Sequence, residues 1–223
     1  MSSSLHLAVP KPLRSFSGPS TWSVGQLHHF RALANRGNLR RPRREDGSLE
    51  GLQPTPKGTS MHAMLKTLSR FDRARVANLE LEPEQEQFVD PLDFVFSELQ
   101  GNARPDLEHP FAVVVHHQIV GFFVLREKAA LPEWAPPGVI TMHSFRVGLG
   151  YQGNGYGKAA TGLVSHWISA NRPSAKRLML AVEENNARAR HFYLTAGFFD
   201  TGATYYDEKF GLQNVLEREI ESV

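Results

Sequence analysis

Five glycines crowd the ten positions from Gly148 to Gly157, and this stretch constrains the fold more than any other. It lies between two segments of opposite character. Upstream, residues 139–147 are rich in β-branched and aromatic side chains and read as a strand. Downstream, Ala160, Leu163, Val164, Trp167 and Ile168 recur at three- and four-residue spacing, which marks one face of a helix. Asn171-Arg-Pro173 ends that helix. Residues 177–182 then form a near-continuous apolar run, as in a strand buried on both faces. The unit is strand, glycine loop, helix, strand. Glycines let the main chain come close to a ligand, and free N–H groups at a helix start attract phosphate. The implied ligand is a phosphate-bearing cofactor held mainly by main-chain amides.

The rest of the regular pattern starts near Met61. Residues 65–68 read as a short first strand, followed by a helix through Phe71, Val76 and Leu79. A second helical stretch carries Phe88, Leu92, Phe94, Val95 and Leu99 and breaks at Gly101-Asn102. Two β-branched runs, 111–115 and 119–125, make a hairpin around His116-His117-Gln118, with the two histidines on opposite sides. Residues 204–206 and 213–220 read as closing strands.

Two frames of the glycine loop compete. Gly148-x-Gly150-x-x-Gly153 matches a dinucleotide fingerprint, and Glu183 ends the next strand where a ribose-binding acid would sit. Such a domain needs further strand–helix units, and after Glu183 only one helix and a β-rich tail remain. Gly157-Lys158 lacks the upstream spacing and the Ser/Thr of a P-loop. In the second frame, Gln152-x-x-Gly155-x-Gly157 resembles the Q/R-x-x-G-x-G/A signature of the GNAT superfamily of N-acetyltransferases. One helix and one strand later, Asn186-Ala-Arg-Ala189-Arg-His-Phe192-Tyr193-Leu-Thr-Ala-Gly197-Phe198 resembles that family's second block. Together the two motifs cover residues 139–199.

The resemblance implies an α/β fold, with a GNAT-like mixed central sheet splayed at parallel strands and flanked by helices. It implies acetyl-CoA as donor and direct transfer of acetyl to an amine. Main-chain amides of Gly153, Asn154, Gly155, Tyr156, Gly157 and Lys158, in the loop opened by Gln152, would hold the pyrophosphate. Phe145 and Val147 occupy the strand edge that meets the pantetheine arm and the thioester, where an amide would serve as oxyanion donor. Asn186 stands where it caps the second helix, alone or together with a cofactor contact. Tyr193 would be the general acid that protonates the leaving thiolate. His143 is the candidate base, because strict alternation puts it on the same strand face as Phe145 and Val147. Water or a remote carboxylate is the alternative base.

The acceptor is read from charge. Eight acids lie between Asp72 and Glu98 against only Arg73 and Arg75, and a negative wall draws in a cationic amine. Residues 79–89 also resemble bacterial spermine/spermidine acetyltransferases, through Gln85-x-x-Phe88-Val89. A small polycation is therefore the expected acceptor. A protein or peptide N-acetyltransferase and a non-catalytic acyl-CoA-binding module are the alternatives.

Composition supplies the exclusions. Hydrophobic residues make up 41% of the 223 and charged residues 22%, which suffices for a packed core. No cysteine is present, so a disulfide framework, a thiolate metal site and a cysteine nucleophile are excluded. The histidines lack metal-ligand spacing, and no metal is expected. No apolar run is long enough for a membrane helix, and no secretory signal opens the chain, so a cytoplasmic location is the default. Residues 1–60 hold nine Lys/Arg against three Asp/Glu, a balance of +6, and are rich in Ser and Pro. They read as a basic extension to a domain over 61–223, with one helical piece from Thr21 to Gly37. A plain tail, an early start, an organelle presequence and a nucleic-acid arm all fit the extension. The last ranks lowest, because no aromatic residues interleave with the cationic run at 40–44. A homodimer is left open.

Overall fold

The computed structural model describes residues 63–221. The expected basic extension over 1–60, with its helical piece at 21–37, lies outside the described residues. Seven strands form one sheet: β1 (Ala63–Thr67), β2 (Glu108–Val115), β3 (Gln118–Glu127), β4 (Ile140–Val147), β5 (Arg177–Glu183), β6 (Phe199–Asp207) and β7 (Gly211–Glu219). Their order is β1-β2-β3-β4-β5-β7-β6. The β4–β5 pair is parallel and the remaining pairs are antiparallel, so the sheet is mixed as expected.

Both faces of the sheet are covered, and alternation along the strands shows how. Phe111, Val113, Phe123, Leu125, Ile140 and Met142 point to one face. There they meet Ala160, Val164 and Ile168 of helix α3 (Tyr156–Asn171). Ala112, Val114, Phe122 and Val124 point to the other face. They meet Leu92, Val95, Phe96 and Leu99 of helix α2 (Leu92–Gly101). A short helix α1 (Pro83–Glu86) precedes α2, and helix α4 (Ala187–Thr195) follows β5. Among the described residues no helix is long and apolar enough to cross a membrane.

Several elements differ from the sequence expectation. The helix expected through Phe71, Val76 and Leu79 is only a 3-10 turn, Asp72–Val76. Its continuation is drawn out toward the glycine loop, where the Leu149 N–H donates to the Glu80 carbonyl at 2.8 Å. The next helix does not begin at Phe88. Pro91 restricts the residue before it to extended backbone, and α2 starts at Leu92. His116 and His117 are not on opposite sides of a strand; they are the two turn residues of the β2–β3 hairpin. Both have positive φ (47° and 67°), as a two-residue turn of this kind requires. The closing strands are longer than the alternation suggested.

Phe122 is fully buried and stacks on Phe96 with ring centroids 5.4 Å apart, which joins α2 to the middle of the sheet. Phe122→Ala is expected to cost about 3–5 kcal/mol of unfolding free energy. Substituting the exposed Tyr206 should change stability by no more than about 0.5 kcal/mol, read from urea midpoints at constant m-value.

Candidate active site

The site begins where two strands part. β4 and β5 pair only at Ile140 with Leu178 and Thr141 with Met179, and beyond that point they diverge. From Met142 to Val147 the β5-side edge of β4 has no partner strand, while β5 turns its other edge to β7. A cleft of about 870 Å³ opens in the gap. Residues 142–147 of β4 line one side of it and Leu180–Glu183 of β5 the other.

A bulge in β4 decides which side chains enter from which face. Ser144 has φ 52°, and residues 144 and 145 together oppose one residue of β3. Before the bulge, Ile140 and Met142 belong to the α3 face; after it, Phe145 does, with its ring 6.2 Å from Phe123. The alternation therefore reverses. His143 pairs with Val124 and Arg146 with Phe122, both on the α2 face. The expectation that His143 shares a face with Phe145 and Val147 is thus corrected, since the extra residue inverts the period-two pattern. All three still line the cleft, because it passes through the sheet from one face to the other.

The α3-face half is built from main chain and aromatic rings. Gly153 and Gly155 take left-handed φ values of 77° and 78°, which turn the loop into the start of α3. No side chain caps that helix, so its first amides, at Tyr156, Gly157 and Lys158, point into the cleft mouth as a ready anion site. At Gly157 a Cβ would come within 3.0 Å of the Phe192 ring, so α4 packs directly on the bare helix start. Phe145, Phe192 and Tyr193 form a contiguous aromatic wall, with Tyr193 5.1 Å from Phe192 and 6.4 Å from Phe145. Burial raises the Tyr193 phenol above its ordinary pKa, so it stays protonated at neutral pH. Asn186 caps α4, its Oδ1 accepting from the Ala189 N–H at 3.0 Å, and also lines the cleft.

Eleven of the twelve residues singled out from the sequence line this cleft, and Asn154 does not. Its side-chain amide instead donates to the carbonyls of Tyr151 and Gln152, both at 3.1 Å, and stiffens the loop from outside. Gln152 is a clamp. It exchanges hydrogen bonds with Gln85 of α1 (2.9 and 3.2 Å), donates to the Val147 carbonyl and accepts from Arg188 of α4. The glycine loop is thus tied to both faces.

The α2-face half holds residues that sequence reasoning missed. Arg146 is 4% exposed, and its Nη2 donates to the Asp90 carbonyl while Nε has no partner among the described residues. A lone formal charge in the strand Ile140–Val147 was the available signal. The acidic segment is also less free than its composition suggests. Asp72 pairs with Arg75, Asp93 with Arg73, Glu82 with Arg188 and Asp90 with Lys209. Of its acids that line the cleft, Glu84 and Glu98 have no ion-pair partner among the described residues.

His143 Nε2 lies 2.8 Å from Thr141 Oγ1. Loss of solvent, and secondarily the nearby Arg126, push the imidazole pKa down to about 3. The folded protein therefore binds fewer protons here than the unfolded chain between about pH 6.5 and 3. Stability should fall as pH is lowered through that window. In His143→Gln the decline should be shallower, measured as urea unfolding free energy at a series of pH values.

Comparison with known proteins places this architecture. The family model for "Acetyltransferase (GNAT) family" matches residues 73–198, and the chain belongs to that family. A curated relative, the uncharacterized N-acetyltransferase YbbJ of Bacillus subtilis (strain 168), is 31% identical over 96 residues. That match takes in 42% of this chain and 60% of the relative's length. Among solved structures, an aminoglycoside acetyltransferase in complex with coenzyme A superimposes with a TM-score of 0.58 at 15% identity. It covers 70% of this chain and 94% of its own. Spermidine N-acetyltransferase from Vibrio cholerae, in complex with CoA and spermine, gives 0.54 at 14% identity, covering 71% and 95%. At such identities the likeness is one of fold.

Proposed function

We propose that the chain transfers the acetyl group of acetyl-CoA directly to a primary amine of a small polycationic molecule. The observation that carries this reading is the cleft that runs through the sheet between β4 and β5. Its α3-face half suits a thioester donor, with uncapped amides for the pyrophosphate and the bare β4 edge for an amide-bearing arm. Its α2-face half suits an amine, with Glu84, Glu98 and several aromatic side chains in the wall. Structures of similar fold solved with coenzyme A, one of them with spermine as well, support the pairing of these two ligand classes in one fold.

The chemistry follows from that placement. The amine nitrogen attacks the thioester carbonyl, the C–N bond forms, the C–S bond breaks and CoA leaves as its thiolate. The Tyr193 phenol, kept protonated by burial, hydrogen-bonds the departing sulfur and supplies its proton. His143 faces the acceptor half as a neutral imidazole at physiological pH. Through Nδ1, the ring nitrogen that Thr141 does not engage, it accepts a hydrogen bond from the incoming neutral amine. The proton that the nitrogen sheds once the C–N bond has formed leaves to water in the open cleft, and water restores the proton that Tyr193 gave to the sulfur. With a pKa this low His143 is not the group whose titration sets an alkaline rate rise.

Free thiol release should be followed with acetyl-CoA across a panel of spermine, spermidine, lysine peptides and arylalkylamines. Turnover is expected with the polyamines. Tyr193→Phe should lower kcat by about 10²-fold with little change in KM for acetyl-CoA. In His143→Gln, kcat should drop while the shape of the pH profile between 6 and 9 stays that of the native enzyme. Tight acetyl-CoA binding without turnover on any amine would sink the catalytic reading and leave a binding module.

A further inference from the structure

The rim of the acceptor half already holds an ammonium group, and the chain itself supplies it. Lys209 stands at the turn between β6 and β7. Its Nζ donates to the Asp90 carboxylate and lies 4.8 Å from the Phe210 ring centroid and 5.1 Å from that of Phe94. One carboxylate with two ring faces is the chemistry that recognises an alkylammonium ion.

Each part of this cage is fixed independently of the Lys209 side chain. Arg146, buried under α2, holds the main-chain carbonyl of Asp90. Phe94 is presented by α2 and is 50% exposed, although its neighbours Val95 and Phe96 are buried. Phe210 is set by the turn, whose form depends on Asp207 Oδ1 accepting from the N–H groups of Lys209 and Phe210 at 2.8 and 2.9 Å. Asp90, Phe94 and Phe210 line the cleft, whereas Lys209 does not. The carboxylate and rings are therefore open to the cleft on one side and filled by Lys209 from the other. The ion pair is partly exposed at both ends, and pairs of that kind hold weakly.

We propose that Asp90, Phe94 and Phe210 form an ammonium subsite in the acceptor half of the cleft, and that Lys209 is its tethered occupant. The second ammonium of a diamine or longer polyamine displaces Lys209 while the first amine is presented for acetylation. This inference rests on the function proposed above and adds to it the position that selects polyamines over monoamines. A tethered competitor lowers the apparent affinity for the free ligand by the fraction of time the subsite is open.

The test is equilibrium binding, so that it does not depend on turnover. Calorimetry with the full chain and coenzyme A would compare α,ω-diamines of three to eight carbons with the monoamines of equal length. The quantity read is the ratio of monoamine to diamine Kd at the best length. It should exceed one in the native protein and rise in Lys209→Met, by about tenfold for a subsite closed roughly nine-tenths of the time. In Asp90→Asn and in the milder Phe94→Leu it should fall toward one, with thermal unfolding confirming that each variant is folded. An unchanged ratio in all three variants, or a lower ratio in Lys209→Met, overturns the subsite. Such a result alongside polyamine turnover leaves the acetyltransferase reading standing. Absence of turnover with the ratios behaving as described removes only that reading.

Discussion

Everything at this site depends on a strand pair that stops pairing. β4 and β5 share main-chain hydrogen bonds near their start and then part, although both strands continue for several more residues. Main-chain groups left open inside a protein are costly unless something satisfies them. Here they border a cleft, where under the proposed function a ligand carrying amide groups would take the place of the missing neighbour. The bulge at Ser144 adds the second half of the design. It reverses the side-chain alternation, so one short strand sends Phe145 to the α3 face and His143 to the α2 face.

Much of this was legible in the residues, and the reasons are local. The glycine-rich loop, the helix after it and the apolar strand beyond are written in short-range patterns, and they stand within a residue or two of their expected bounds. Asn186 as a helix cap and Gly197 at the helix end follow from the same short-range chemistry. The bulge left one trace, a three-residue gap between Met142 and Phe145 in an apolar spacing that is otherwise two, and a partner strand laid alongside is what identifies that gap as an inserted residue. The assignment of His143 to the face of Phe145 failed for that reason. The first helix failed differently: a periodic segment was drawn out by a hydrogen bond to Leu149, some seventy residues on in the chain.

Charge shows the same boundary between local and distant information. Counting acids from Asp72 to Glu98 describes a negative wall, but four of the eight are answered by cations. Arg73 and Arg75 are near in sequence and could be paired by inspection. Arg188 and Lys209 come from the far end of the chain, and only the fold brings them there. What faces the cleft is consequently a mixed surface. The carboxylates of Glu84 and Glu98 lie on it, and the Arg146 guanidinium is braced from beneath against Asp90. Selectivity on such a surface comes from the placement of each charge rather than from net charge.

Gln85 and Gln152 grip each other through both amide groups, one side chain belonging to the acceptor wall and the other to the donor loop. Arg188 reinforces the joint by touching Gln152 and Glu82 together. If the proposed donor binds at the loop, ordering the loop would also order α1, and the conformational entropy lost on the first binding event would not be lost again on the second. Linkage makes this mutual: whatever the donor does for acceptor affinity, the acceptor does for donor affinity by the same factor. Under the proposed function, two side-chain amides would thus couple the two substrates without any direct contact between them.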